Sequence, residues 1–258
     1  MNRRTENRLN LVIAWCGPAF VLGYIIFWAV FGHNVPPPNM MGLSGEELVA
    51  RYYGPHHQSI AIGMAVSMSV AFLYLPWCCL LSGVINDSER GPNVLSRMEL
   101  AGGALTAWSL GFCPGLWLLN AILVHDLDPS VIKAFHVFGW FTYDMTYGIT
   151  TVQCVGVGLW TVLNKKQKIF PAWAGWATIA VGSIFVTLVV LPWIKEGPFT
   201  VAGTWNFFVI FSSWLFAFFA LYSFFLIREM SRRKSEFEEP APTGELTPTT
   251  DPGIPVRA

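Results

Sequence analysis

The chain alternates long apolar runs with short polar segments. Each apolar run reaches or exceeds the ~20 residues that a helix needs to cross a bilayer. The six runs cover residues 11–32, 59–85, 100–124, 129–164, 171–193 and 199–227. We therefore predict an all-α polytopic membrane protein, a bundle of six transmembrane helices. Its domains are a short N-terminus (residues 1–10), the transmembrane domain (11–227) and a disordered tail (228–258).

Composition supports a membrane protein and argues against several other classes. Charged residues make up 12% of the 258 residues and hydrophobic residues 53%, whereas soluble domains carry about 25% charged residues. The formal net charge is zero, which predicts no nucleic-acid partner. The five cysteines lie inside apolar runs without paired C-x-x-C spacing, so neither a zinc ribbon nor a disulfide framework is expected.

The distribution of lysine and arginine predicts the orientation in the membrane. Six spans place both termini on one side, and thirteen of the sixteen Lys and Arg residues fall on that side. The other side holds Arg51, Lys133 and Lys195. Because basic residues are enriched in cytoplasmic segments, we predict a multi-pass protein of the bacterial cytoplasmic membrane with both termini in the cytoplasm.

The loop between the first two spans, residues 33–58, predicts an additional helix at the outer face. Ser44 and Glu47 have the S-x-x-E spacing of a capping box. A short helix is expected to follow, with Tyr52 and Tyr53 on its apolar face, and to end before Pro55. Such an amphipathic helix is typical of the membrane interface, where it would form a lid or an edge of the bundle.

Side-chain size within two of the runs predicts how these helices face their neighbours. In the second run, small residues recur every four positions in two rows, a pattern that lets helix backbones approach closely. One row is Ala61, Ala65 and Ser69, and the other is Gly63, Ser67 and Ala71. The sixth run has a Phe-rich face that we expect to point at lipid. Its members are Phe207, Phe208, Phe211, Phe218 and Phe219.

The fourth run is too long for a simple transmembrane helix. Asp128 followed by Pro129 is typical of an N-cap and a first helical residue. A helix over residues 129–164 would measure about 54 Å, against a hydrocarbon core of ~30 Å. We expect this helix to project, tilt or break, with Gly139 and Gly148 as the points of a break.

Asp144 is the one acidic residue that this pattern places within an apolar run. Asp144, Tyr147, Thr151 and Cys154 recur at i, i+3, i+7 and i+10, which is one face of a continuous helix. We expect this face to turn inward, toward Asn120 of the third span. The candidate substrate-binding residues are Asn120, Tyr143, Tyr147 and Thr151.

Asp144 has two interpretations. An ionisable side chain at membrane depth is a candidate functional group because isolated burial costs about 2.5–3.5 kcal/mol. It would then be the catalytic residue, a general acid in an apolar cavity, or a proton-coupling acid. Alternatively, it lies at the outer boundary of the bilayer and forms a structural hydrogen bond to Tyr143 or to a loop amide.

The five histidines all fall at the outer side of the predicted bundle. They are His33, His56, His57, His125 and His136. Imidazole, with the carboxylates nearby, suits zinc, copper or iron, and two facing histidines can clamp a b-type haem. The same placement is expected of interface histidines that bind nothing, and no H-E-x-x-H or H-x-x-x-H spacing is present.

Several short motifs resemble a family of bacterial six-span integral membrane proteins to which no function is assigned. The motifs are Trp15-Cys16-Gly17-Pro18, Pro36-Pro37-Pro38, Leu43-Ser44-Gly45-Glu46-Glu47 with Tyr52-Tyr53, Ile62-Gly63-Met64, Leu75-Pro76, Phe170-Pro171-Ala172-Trp173-Ala174-Gly175 and Gly197-Pro198-Phe199. The resemblance covers most of residues 11–227 and not the tail. It implies a six-span bundle and carries over no catalytic residue.

Three functional hypotheses follow. In the first, the protein binds or passes a hydrophobic, lipid-like small molecule between spans two, three and four, beneath residues 33–58. In the second, it is a membrane-embedded enzyme. That enzyme would either carry out redox chemistry with a metal or haem bound by the outer histidines, or use Asp144 as an acid catalyst on an isoprenoid-type substrate. In the third, it is a non-catalytic subunit that anchors other membrane proteins in the lipid bilayer.

Overall fold

The computed structural model describes residues 3–39, 41–86, 93–167 and 169–238. Within these ranges the regular structure is helical, and no β-strand occurs. Six helical segments of this part of the chain are long and apolar enough to cross a membrane, and we number them as spans one to six. They are Arg4–Phe31, Gly45–Ile85, Val94–Ile122, Pro129–Leu163, Ala172–Trp193 and Thr204–Ser235. The predicted all-α, polytopic fold is confirmed.

Most spans combine α-helix with other helical forms. The α-helices are α1 (Arg3–Tyr24), α2 (Gly45–Leu48), α3 (Gly54–Ala71), α4 (Tyr74–Ile85), α5 (Val94–Ile122), α6 (Pro129–Met145), α7 (Tyr147–Leu163), α8 (Ala172–Ile184) and α9 (Leu221–Glu238). The π-helical segments are Ile25–Phe31, Val49–Tyr53, Thr204–Phe211 and Trp214–Ala220, and a 3₁₀ segment covers Phe185–Trp193. Spans five and six therefore leave α-helical geometry over about half of their length.

The surface of the bundle is apolar, as a lipid-facing surface must be. Trp173 and Trp176 of α8 are 59% and 61% exposed, and Trp108 of α5 is 51% exposed. Monomeric soluble proteins rarely expose contiguous apolar surface on this scale. The exposed belt therefore agrees with the length of the spans in identifying a multi-pass membrane protein.

The predicted capping box is present, but the short helix is not separate from span two. Ser44 accepts a hydrogen bond from the Glu47 nitrogen, and the Glu47 side chain accepts one from the Ser44 nitrogen. The chain then continues through the π-helical segment Val49–Tyr53 directly into α3, which holds Pro55 in its first turn. The expected end before Pro55 was wrong.

The same segment is fixed to the start of span four. Lys133 donates a hydrogen bond of 2.6 Å to the Leu43 carbonyl oxygen. A Cβ atom on Gly45 would lie 2.5 Å from the Pro129 carbonyl oxygen, so the two backbones meet there. Asp128 caps α6 as predicted and accepts a 2.8 Å hydrogen bond from the Ser130 nitrogen. The segment between spans one and two is therefore fixed against the start of span four.

Span four breaks at Thr146 and not at either predicted glycine. Thr146 has φ −81° and ψ 15°, and its hydroxyl donates to the Thr142 carbonyl oxygen at 2.7 Å. A threonine that bonds back to residue i−4 competes with the helical ladder. Gly139 serves packing instead, since a Cβ atom there would lie 2.6 Å from Nε1 of Trp117. Asp144 consequently lies in the last turn of α6, directly before the break.

The Phe-rich face of span six points into the bundle more than toward lipid. Phe218 and Phe219 are completely buried, and Phe219 stacks on Trp77 with ring centroids 4.2 Å apart. Phe208 is 50% exposed and does face outward. The prediction was wrong for most of the face because the Thr204–Phe211 and Trp214–Ala220 segments are π-helical. Their wider turns rotate side chains away from the positions that an α-helix would give them.

The start of α1 and the last part of α9 lie together at one end of the bundle, which we call the terminal end; the opposite end is the far end. Asn7 donates a hydrogen bond of 3.4 Å to the Arg233 carbonyl oxygen. The last helix continues to Glu238, beyond the predicted boundary at residue 227. The rest of the predicted tail, residues 239–258, lies outside the described residues.

Spans one and two approach backbone to backbone at Gly63. A Cβ atom there would lie 2.5 Å from the Phe27 carbonyl oxygen and 2.7 Å from the Gly32 nitrogen. Ser67 and Ala71 continue the row and are completely buried. The predicted close packing is confirmed for this row, whereas Ala65 and Ser69 of the other predicted row are exposed.

We expect Gly63→Ala to lower the free energy of unfolding in mild detergent by about 1–3 kcal/mol, the usual cost of overpacking. The opposing backbone atoms cannot move aside as a flexible side chain can. Gly83→Ala is the matched control, because an added Cβ at Gly83 meets nothing within 4 Å and alanine favours a helix by about 1 kcal/mol. Equal changes in the two variants would contradict the close approach.

Candidate functional site

A cluster of buried polar side chains lies near the far end. Asn120 donates hydrogen bonds to the Tyr53 hydroxyl at 3.2 Å and to the Ile132 carbonyl oxygen at 2.8 Å. The Tyr53 hydroxyl oxygen lies 2.8 Å from Nδ1 of His136, and the two groups share a hydrogen bond. Tyr53, Asn120 and His136 are all completely buried. Three spans are thus joined by one polar cluster.

An aromatic layer separates this cluster from the middle of the bundle. Trp28, Tyr143 and Phe211 have nearly parallel rings, with interplanar angles of 5°, 7° and 2° and centroids 5.5–5.6 Å apart. Trp117 and Trp140 lie beside them, 4.7 Å from each other. Aromatic pairs at these separations add to packing energy. The layer draws on spans one, three, four and six.

Asp144 lies next to this layer and is 2% exposed. Among the described residues, its one hydrogen bond comes from the Asn206 side-chain nitrogen, which lies 3.2 Å from Oδ2. Asn206 is in the first turn of span six. The carboxyl group is therefore inside the bundle and is held by a side chain, rather than by Tyr143 or a loop amide as the structural interpretation expected.

Asp144 lines a small cavity, which we call the Asp144 cavity. Its volume is about 30 Å³, enough for one or a few water molecules. The lining residues are Thr106, Ser109, Leu110, Tyr143, Asp144, Thr146, Ile149, Thr150, Phe185, Leu188, Phe211 and Trp214. They come from spans three, four, five and six, whereas the sequence-based hypothesis placed the ligand site between spans two, three and four.

The predicted stripe along span four is not the face that lines this cavity. Tyr147 is half-buried against the core, and Thr151 donates to the Gly182 carbonyl oxygen at 2.9 Å. Asn120 belongs to the far-end cluster, where its side-chain nitrogen donates to Tyr53 and Ile132. A common face predicted from i, i+3 and i+7 spacing requires a continuous helix. Because the helix breaks at Thr146, this spacing does not predict which side chains face the cavity. Of the predicted binding residues, Tyr143 lines the cavity.

A second buried acid, Glu99, was missed by the sequence reasoning, which placed it in a polar connection. α5 begins at Val94, after the N-cap Asn93, so Glu99 is inside span three and completely buried. Gln153 donates to Glu99 Oε1 at 3.3 Å and to the Cys78 sulfur at 3.4 Å. The side-chain oxygen of Gln153, Oε1, accepts a hydrogen bond of 2.6 Å from the Tyr74 hydroxyl. The N-cap asparagine was the available signal for an earlier helix start.

The histidines occupy three separate places. His33 stacks on His56 with centroids 4.0 Å apart, His57 meets His125 edge to face at 5.4 Å, and His136 joins the far-end cluster. Within the described ranges, no group of three or more His, Cys, Asp or Glu side chains is placed to hold a metal ion. Rings in direct contact also leave no room for a haem between them. The predicted metal or haem site therefore does not fit this arrangement.

The His33–His56 contact has an electrostatic consequence of its own. Burial and the neighbouring His56 lower the pKa of His33. The neutral form of the His33 imidazole is therefore favoured.

Comparisons of this chain with protein-family models, with curated proteins and with solved structures found no match. The interpretation of the Asp144 cavity accordingly depends on its own geometry.

We expect Tyr53→Phe to lower the free energy of unfolding by about 1–3 kcal/mol, because it leaves His136 and Asn120 buried without their shared partner. Tyr147→Phe is the matched control, since the Tyr147 hydroxyl makes no hydrogen bond with the described residues and the side chain is half-buried. Thermal unfolding in mild detergent measures both. A Tyr53 variant as stable as the Tyr147 variant would show that the cluster does not hold the spans together.

Proposed function

We propose that the protein binds a small, largely apolar molecule in the Asp144 cavity and passes it across or within the membrane. The observation that carries this proposal is the position of Asp144, a buried carboxyl group facing a cavity at which three spans leave α-helical geometry. We further propose that Asp144 exchanges a proton during passage, since ionisable groups at membrane depth commonly serve proton coupling.

The irregular backbone around the cavity supports this proposal. The break at Thr146, the 3₁₀ segment with Phe185 and Leu188, and the π-helical segment with Phe211 all contribute to its lining. Non-helical backbone at membrane depth is tolerated where it lines a cavity or is buried in protein. In transporters, broken helices commonly form the binding site.

The size of the cavity limits what enters it in this conformation. A volume of about 30 Å³ is well below the ~300–1,000 Å³ of typical ligand pockets. We therefore propose that this is a closed form, which a ligand enters only when Phe185 or Phe211 moves. The break at Thr146 and the neighbouring irregular segments are the elements in which such movement costs least, because their helical hydrogen bonding is already interrupted.

A second candidate function uses the same carboxyl group as a general acid on an unsaturated apolar substrate. The aromatic side chains of Tyr143, Phe211 and Trp214 line the cavity with Asp144. Aromatic faces stabilise nearby positive charge, which is what protonation of a carbon–carbon double bond produces. In this case, the bound molecule would be recovered chemically changed.

We also propose that the protein belongs to the bacterial cell membrane, with both termini in the cytoplasm and the far end outside. The basic residues at the terminal end support this orientation. Membership of a six-span family and disorder of residues 239–258 remain predictions.

The cavity proposal predicts that filling the cavity removes its ligand. Ser109→Val adds apolar volume to the lining, whereas Ser69→Val changes an exposed serine of span two. We expect mass spectrometry of solvent extracts to show one small molecule bound near-stoichiometrically to the wild type and the Ser69 variant. The Ser109 variant should retain about tenfold less, the effect of losing ~1.4 kcal/mol of binding energy.

Asp144→Asn separates binding from proton coupling. It keeps the shape of the cavity, so the recovered molecule should still enter proteoliposomes, but an imposed pH gradient should no longer alter its uptake. Glu99→Gln, at the other buried acid, should leave the gradient effect in place.

The cavity proposal would be contradicted if the wild type, the Ser109 variant and the Ser69 variant all yielded the same amount of the extracted molecule. That result would indicate lipid bound at the outer surface.

The orientation is tested by cysteine labelling in intact cells. Lys195 and Lys166 are exposed residues of loops at the far and terminal ends. A membrane-impermeant maleimide should label Lys195→Cys above the wild-type background, and Lys166→Cys only after the cells are opened. The reverse pattern would place the termini outside.

A further inference from the structure

A large cleft opens at the terminal end, away from the Asp144 cavity. Its volume is about 740 Å³. The cleft lies between span two, the end of span four with the loop that follows it, and span six. Its lining residues are Val84, Trp160, Asn164, Lys166, Gln167, Ile169, Phe225, Arg228, Glu229, Arg232 and Arg233. We call it the terminal cleft.

The charge of the terminal cleft is strongly positive. Four of its lining residues are basic and one, Glu229, is acidic. Glu229 accepts from Arg232 at 2.7 and 3.0 Å and from Arg233 at 2.8 Å, so its charge is already matched and both guanidinium groups are held in place. Lys166 and Arg228 are exposed and add further positive charge on two different segments.

The loop that carries Lys166 is fixed by the side chain of Gln167. Its nitrogen donates to the Phe170 carbonyl oxygen at 2.6 Å, and its oxygen accepts from the Ile169 and Phe170 nitrogens at 2.8 and 2.9 Å. One side chain thus satisfies the backbone groups of a tight turn. Lys166 precedes Gln167 directly and lines the cleft.

The terminal cleft crosses the boundary between apolar and polar surface. Val84, Trp160, Ile169 and Phe225 form its apolar side, and span six changes from apolar to charged between Ile227 and Arg228. Tryptophan near a helix end is typical of the headgroup level of a bilayer. A ligand in this cleft therefore meets cations at one end and hydrocarbon-facing side chains at the other.

We propose that the terminal cleft binds an anionic glycerophospholipid, with the phosphate between Lys166 and Arg228 and the acyl chains along Phe225 and Ile169. Arginine pairs with phosphate oxygens in a bidentate manner, and basic pockets between spans are known to take anionic headgroups. The positive charge selects against zwitterionic lipid, and the apolar side selects a lipid over free phosphate. This inference is independent of the function assigned to the Asp144 cavity.

The test uses delipidated full-length protein and native mass spectrometry, with dioleoylphosphatidylglycerol, dioleoylphosphatidylcholine and inorganic phosphate as probes. Each basic residue near a headgroup contributes about fivefold in affinity. Lys166→Gln with Arg228→Gln should therefore weaken phosphatidylglycerol binding by roughly 25-fold. The matched control, Arg51→Gln with Lys195→Gln, removes two exposed basic residues at the far end and should leave the affinity unchanged.

Three results would overturn the proposal. Equal affinity for phosphatidylcholine would show that charge does not select the lipid. Equal loss in the two double variants would show a general charge effect and no site at this cleft. Displacement of phosphatidylglycerol by millimolar inorganic phosphate, with phosphate binding that itself depends on Lys166 and Arg228, would assign the cleft to a free anion.

Discussion

The bundle depends on satisfying polar groups where no water can do so. In hydrocarbon, an unpaired backbone or side-chain polar group costs several kcal/mol, so a buried polar residue that finds a partner on another span joins the two spans. Tyr53 joins spans two, three and four through Asn120 and His136, and Gln153 joins spans two, three and four through Tyr74 and Glu99. These bonds fix how the helices are placed relative to one another, which apolar side chains alone do not do.

Features set by a few neighbouring residues were predictable from the sequence. The six spans follow from the length of apolar runs, and the caps at Ser44 and Asp128 follow from hydrogen bonds over two or three residues. The break at Thr146 was not predictable in the same way. It depends on one hydroxyl bonding back to Thr142, whereas the glycine expected to break the helix, Gly139, is required by a tryptophan of another span.

The candidate site depends on partners far apart in the chain, and periodicity cannot supply them. Asn206 lies 62 residues from Asp144, and nothing local indicates that an amide in a Phe-rich run meets that carboxyl group. Glu99 was missed because an acid near a span boundary resembles a connecting segment, although the N-cap Asn93 had already started the helix. Identifying a buried acid in a membrane protein therefore requires the true start of each span.

Span three provides an axis that connects these sites. Glu99, Thr106, Ser109 and Asn120 are buried on one face of α5, and the 21 residues from Glu99 to Asn120 rise about 31 Å, close to the ~30 Å of the hydrocarbon core. Polar groups thus occur near both boundaries and around the Asp144 cavity. Trp117, on the same helix, and its aromatic neighbours interrupt this line between the cavity and the far-end cluster. Asp144 and the break at Thr146 lie on the cavity side of that aromatic layer. Movement at the break would therefore change access to the Asp144 carboxyl group. The polar clusters that contain Glu99 and Asn120, near the two ends of span three, would meanwhile hold the spans in register.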